Sequence, residues 1–102
     1  MSQEEAQMVV GVAMMELIIH QSSSLKAKRK VVKSILARAR NKFDLSIAEV
    51  DHHDKWQRSK LGFAVVTNDG GLAHSMLQGI IDYVEGLHLA EVIDSNIEIT
   101  HY

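Results

Sequence analysis

"DLSIAEVDHHDKWQRSKLGFAVVT" occupies residues 44–67, and its reading decides the fold. Over 44–52, Leu45, Ile47 and Glu49 alternate with Ser46, Ala48 and Val50, the two-residue period of a strand. Residues 60–67, KLGFAVVT, make a second and more apolar strand. Only His53 to Ser59 separates the two, which is short enough for a hairpin. The centre of the chain is therefore two consecutive strands, and what flanks them sets the topology.

On the N-terminal side, residues 24–43 follow the helical period. Leu25, Val32, Leu36, Ala39 and Phe43 form the expected apolar face, and Ser24 stands as N-cap. Residues 8–20, MVVGVAMMELIIH, are apolar at nearly every position and read as a central strand. On the C-terminal side, Asn68-Asp69-Gly70-Gly71 turns into a second helix. Leu72, Met76, Ile80, Val84 and Leu87 mark its expected buried face, and Gly86 its stop. The segment from His88 to Tyr102, with Ile93, Ile97 and Ile99, ends as a strand. The order is β-α-β-β-α-β across 102 residues, read as a single domain of α+β class. This is the ferredoxin-like sandwich, a four-stranded antiparallel sheet with two helices on one face. The other face is left open, yet segments 8–20 and 60–67 are apolar on both sides. Such a face points to a homodimer or larger homo-oligomer, unless loops or the C-terminal segment cover it.

The charge is unevenly placed. The formal net charge is −2, but residues 22–42 hold eight of the eleven Lys and Arg residues and no acid. A cationic surface on an acidic body follows. Lys26, Lys28, Arg29 and Lys30 fall in or beside the helix's first turn, where the dipole disfavours cations by about 0.3–1 kcal/mol each. An anion bound there would reverse that penalty, with the hydroxyls of Ser22, Ser23 and Ser24 as further donors. Lys26, Lys30, Lys33 and Arg40 continue as a flank stripe that phosphates of a nucleic acid could follow. The plain alternative is a solvated face whose Lys and Arg stems cover the core edge.

The hairpin carries the single Trp, Trp56, beside Lys55, Gln57 and Arg58. An aromatic flanked by cations can stack on an unpaired base while the charges hold phosphates. Alternatively, Trp56 folds back as a lid on the core or sits in an oligomer interface. Asp51, His52, His53 and Asp54 are weak metal candidates. On a strand only alternate pairs share a face, and the remaining histidines match no metal spacing, so no metal or other cofactor is expected. Lys60 to Val65 falls where RNA-recognition domains carry a core motif, but Phe63 is its single aromatic and the stacking pair is missing.

Enzyme signatures are lacking. Acylphosphatases share this size and strand order but need a Gly-rich, Arg-bearing phosphate loop after the first strand. The segment here is His20-Gln21-Ser22-Ser23-Ser24. No nucleophile elbow or P-loop occurs, and no catalytic residue stands out. No cysteine is present, so thiolate sites and disulfides are excluded. The N-terminus, Met-Ser-Gln-Glu-Glu, is acidic and unlike a signal peptide. The longest apolar run, Met8 to Ile19, is broken by Glu16 and falls short of the roughly 20 residues that span a bilayer. A soluble, cytoplasmic protein without membrane contact is expected.

"SLKAKRKVVKSI" (24–35), "AEVDHHDKWQRSKLG" (48–62) and "TND" (67–69) together resemble the YlxP-like family of small uncharacterised bacterial proteins. The resemblance covers essentially the whole chain. It implies the ferredoxin-like fold, and gene neighbours that are translation initiation and ribosome maturation factors. It implies no activity. The motif residues correspond to Ser24, Leu25, Lys26, Lys28 and Arg29, and to Glu49, Asp51, His52, Asp54, Trp56, Gln57 and Arg58. Ala27 stands where the family commonly has Glu, and Gln21-Ser22-Ser23 where it often has Pro and Gly. Without that Glu no capping box closes on Ser24, and the first turn is more cationic.

The expected function is non-enzymatic binding of RNA or a ribosomal particle. Ser24, Lys26, Lys28, Arg29, Lys30, Lys33 and Arg40 form the first contact surface, and Trp56 and Arg58 the second. A protein-interaction module using the open sheet face is the alternative. A small hydrolase or phosphate-ligand protein is third.

Overall fold

The computed structural model describes residues 7–102. The acidic Met1–Glu5 segment lies outside the described residues. The elements are β1 (Val9–Ile18), α1 (Leu25–Lys42), β2 (Ser46–Asp51), β3 (Arg58–Thr67), α2 (Gly70–Gly86) and β4 (Glu91–His101). They form one antiparallel sheet in the order β2-β3-β1-β4, with both helices on one face. This is the ferredoxin-like architecture.

Strand parity explains the layers. Val9, Ala13, Met15 and Leu17 of β1 are buried beneath the helices, as are Leu61, Phe63 and Val65 of β3. The residues between them face the other way. Val12 and Met14 of β1 are 41% and 40% exposed, Val66 of β3 is 67% exposed, and Val50 of β2 is 50% exposed. The sheet thus has an uncovered face with an apolar centre, as its two-sided apolar strands require. Its rim on β4 is acidic. Glu98, Asp94 and Glu91 pair in register with Val12, Glu16 and Ile18 and so share that face. Close helix packing governs the other side. A Cβ on Gly11 would lie 2.7 Å from Leu77 Cδ1, so any side chain there would force Leu77 of α2 to shift.

The helix faces differ from expectation in detail. In α1 the buried residues are Lys28, Val32, Ile35 and Ala39, with Leu25, Leu36 and Phe43 only half-buried. In α2 they are Ala73, Leu77, Ile80, Ile81 and Val84, while Leu72 is 51% exposed. Small Ala73 packs where the bulkier Leu72 would hold the helix away from β1. Gly86 ends α2 as expected, but the left-handed turn position falls on His88, at φ 55°. Among the described residues no helix is long and apolar enough to cross a membrane.

The two sheet edges are blunted. Arg40 Nη2 donates to the Ile47 carbonyl of β2 at 2.6 Å, occupying an edge acceptor. The β4 register shifts opposite Glu16/Leu17, and its acids discourage pairing with a like strand.

Candidate nucleic-acid interface

The two long motifs meet at one end of the molecule. That end is built from the β1–α1 loop, the first turns of α1 and the β2–β3 hairpin. Ser24 caps α1, its Oγ accepting from Ala27 N at 3.0 Å. Ser22 Oγ donates to the Ser24 carbonyl at 3.0 Å. The Ser22 proton is therefore committed to the turn, while Ser24 acts there as an acceptor.

Lys28 overturns its expected role. Its side chain is fully buried, and its Nζ donates to Glu49 Oε2 at 2.6 Å, to the His52 carbonyl at 2.8 Å and to the His53 carbonyl at 3.4 Å. Ser59 Oγ donates to the same Glu49 oxygen at 2.7 Å. All three ammonium protons have partners, so none remains for a phosphate. Lys28 instead clamps the hairpin onto α1. The explanation lies in strand parity. Glu49 shares its face of β2 with Ile47, so its carboxylate enters the core layer and needs a buried cation.

A second network steadies the hairpin from the open face. Arg58 Nη2 donates to Glu16 Oε2 at 2.6 Å, and His52 Nε2 lies 3.1 Å from the same oxygen. Arg58 chiefly, opposed by partial burial and aided by His52, holds the Glu16 carboxyl below its ordinary 4.5. The His52 backbone N–H, bonded to Asp51 Oδ1 at 2.7 Å, is the main cause that lowers the Asp51 carboxyl below its ordinary 3.8. This bond accompanies a left-handed backbone at His52, φ 63°. Gln57 Nε2 donates to the carbonyls of His20 and Ser22 at 3.2 and 3.1 Å, and Ile19 N donates to the Gln57 carbonyl at 2.9 Å. Of the weak metal candidates, Asp51, His52 and His53 are taken up in these contacts and Asp54 is exposed. His53 Nε2 lies 3.2 Å from the Glu49 carbonyl. Among the described residues no three His, Asp or Glu groups converge on an ion.

What faces solvent is a smaller set. Lys26, Arg29, Lys30 and Lys33 are exposed on the side of α1 opposite Lys28, Val32, Ile35 and Ala39. Trp56 is 57% exposed on the hairpin that Lys28 anchors to α1, so it is no lid on the core. Lys55 is exposed next to it and belongs with the candidate set; its place beside the single Trp was the signal. Arg40 and Arg58 are exposed but already engaged with Ile47 and Glu16.

The family described as "Protein of unknown function (DUF503)" matches residues 10–97, and the chain belongs to it. "Uncharacterized protein YlxP" of Bacillus subtilis (strain 168) is 39% identical over 77 residues, covering 76% of this chain and 84% of that one. Among solved structures, a de novo designed protein, Foldit4, superposes with a TM-score of 0.44 at 11% identity, over 94% and 96% of the two chains. LarC2, the C-terminal domain of a cyclometallase involved in synthesis of the NPN cofactor of lactate racemase, gives 0.40 at 12% identity, over 92% and 57%.

Proposed function

We propose that this member of a family of unknown function is a non-enzymatic cytoplasmic protein that binds RNA, free or within a ribosomal particle. The supporting observations are the row of exposed cations on α1, Lys26, Arg29, Lys30 and Lys33, and the exposed Trp56 and Lys55 on the hairpin. With a net charge of −2 the chain has no general affinity for phosphate, so binding is a local matter. An exposed indole between cations suits an unpaired base rather than a duplex. The gene neighbourhood implied by the family resemblance supports a ribosomal target.

Trp56 is the chain's single Trp, so its emission reports the contact directly. An unstructured single-stranded RNA should quench it, and Trp56→Ala should weaken binding by about tenfold or more. Emission unchanged at saturation, with Trp56→Ala binding as tightly as the native protein, would remove Trp56 from the reading.

The open sheet face supports a second, compatible reading, in which two copies associate through it. Val12, Met14, Val50 and Val66 are exposed there, and the acids of β4 make the face unfit for phosphates. Sedimentation should give a dimer for the native chain and a folded monomer for Val12→Asp/Val66→Asp. A native monomer at the highest soluble concentration would refute this.

A further inference from the structure

Resting on the dimer reading, we propose that the second copy lies sheet against sheet about a twofold axis parallel to the strands, so that the acidic β4 of each copy faces β2 and β3 of the other. A division of charge along the middle of the sheet carries this. All eleven Lys and Arg lie in residues 22–67, together with four acids, which gives this stretch +7. The remaining residues hold nine acids and no Lys or Arg, which gives −9. The first stretch folds into α1, β2 and β3, and the elements outside it are β1, α2 and β4. The sheet order β2-β3-β1-β4 keeps the two sets on opposite halves, with α1 over β2 and α2 over β1 and β4. The molecule is thus a transverse dipole, and the boundary between its halves runs between β3 and β1.

The open face repeats the division. Arg58 and Lys60 stand on its β3 side, sharing parity with the exposed Val66, and Glu16, Asp94 and Glu98 stand on its β1–β4 side with Glu91. Asp51, in the Lys60 row, is the one acid that β2 and β3 add to this face. Register places Lys60, Glu16 and Asp94 in one row across the sheet, and Arg58, Ile18 and Glu91 at its end. A rotation about an axis along the strands keeps these rows and exchanges the halves. Asp94 and Glu91 of one copy then meet the Lys60 and Arg58 end of the other, while Val12 packs over Ala64 in the apolar centre. An axis across the strands would instead reverse the rows and lay β4 on β4, Glu98 against Asp94, so that like charges oppose. A face four strands wide and about ten residues long offers roughly 600 Å² per copy, which reaches the lower end of stable interfaces.

The chain has no cysteine, so an introduced thiol stands alone. Asn96 of β4 and Ala48 of β2 are neutral, exposed and in one row of the open face. Asn96→Cys and Ala48→Cys chains, one of them isotopically labelled, are mixed and treated with a bis-maleimide spanning about 10 Å, the spacing of packed sheets. Mass spectrometry should find the mixed product well above either self-linked one. Sedimentation gives a second readout. Asp94→Asn/Glu98→Gln should weaken the dimer by about two- to tenfold, the worth of a few rim charges. With β4 on β4 the same change would tighten it. A dimer that gives no mixed product, or one tightened by the neutral variant, overturns the arrangement and leaves the dimer reading standing. A native monomer at the highest soluble concentration overturns both.

Discussion

Replacing Lys28 with Ala should cost about 3–5 kcal/mol, the usual consequence of leaving one member of a buried ion pair without its partner. The Glu49 carboxylate, only 13% exposed, would keep Ser59 as its one remaining donor, and the His52 and His53 carbonyls would lose theirs. Domains of this kind are stable by about 5–15 kcal/mol, so about a fifth of the total or more is at stake. Lys28→Met/Glu49→Leu should regain much of the loss, because removing both charges removes the uncompensated one as well. Chemical denaturation of the native chain, both single variants and the double variant gives the coupling. A Lys28→Ala variant as stable as the native protein would mean that the clamp holds nothing. A double variant no better than the sum of its singles would mean that the two residues act independently.

The second large effect concerns binding. Lys26→Ala/Arg29→Ala/Lys33→Ala changes only exposed side chains on the solvent side of α1, so the fold should persist. Ala is also the best helix former, which offsets any loss of stem packing. Each phosphate contact to a single strand contributes about 0.7 to the slope of log K against log salt. Loss of three contacts should lower the slope by about 2, and the affinity near 50 mM salt by roughly two to three orders of magnitude. A matched Lys28 substitution cannot serve here, because a loss of binding would then report unfolding.

The order of elements was legible in the sequence because each segment carries its own period: two in the hairpin, 3.6 in α1 and α2. The core-facing side of α1 was less legible. Leu25, Leu36 and Phe43 outrank a lysine on any hydrophobic scale, yet Lys28 is the residue that is buried. Its burial depends on Glu49, which lies 21 positions along the chain, and no local pattern contains that distance. A signal was nonetheless present. Glu49 shares parity with Leu45 and Ile47, and an acid on a core-facing parity calls for an inward-facing cation. Followed through, it would have separated Lys28 from its neighbours. The candidate surface was legible in composition but not in membership. Arg40 and Arg58 resemble Lys26 and Arg29 in sequence, and only the fold brings them to Ile47 O and Glu16.

These two lysine experiments divide the basic segment into an inner part that holds the hairpin and an outer part proposed to meet phosphate. The outer part carries the functional reading. Fluorescence anisotropy of a labelled, unstructured single-stranded RNA, titrated at several salt concentrations, tests it most directly. The native chain should bind with an affinity that falls steeply as salt rises. Lys26→Ala/Arg29→Ala/Lys33→Ala should bind far more weakly, with a slope shallower by about 2. Absence of binding by the native chain at low salt, or a variant with the same affinity and slope, would contradict the reading and leave the basic face of α1 a solvated surface.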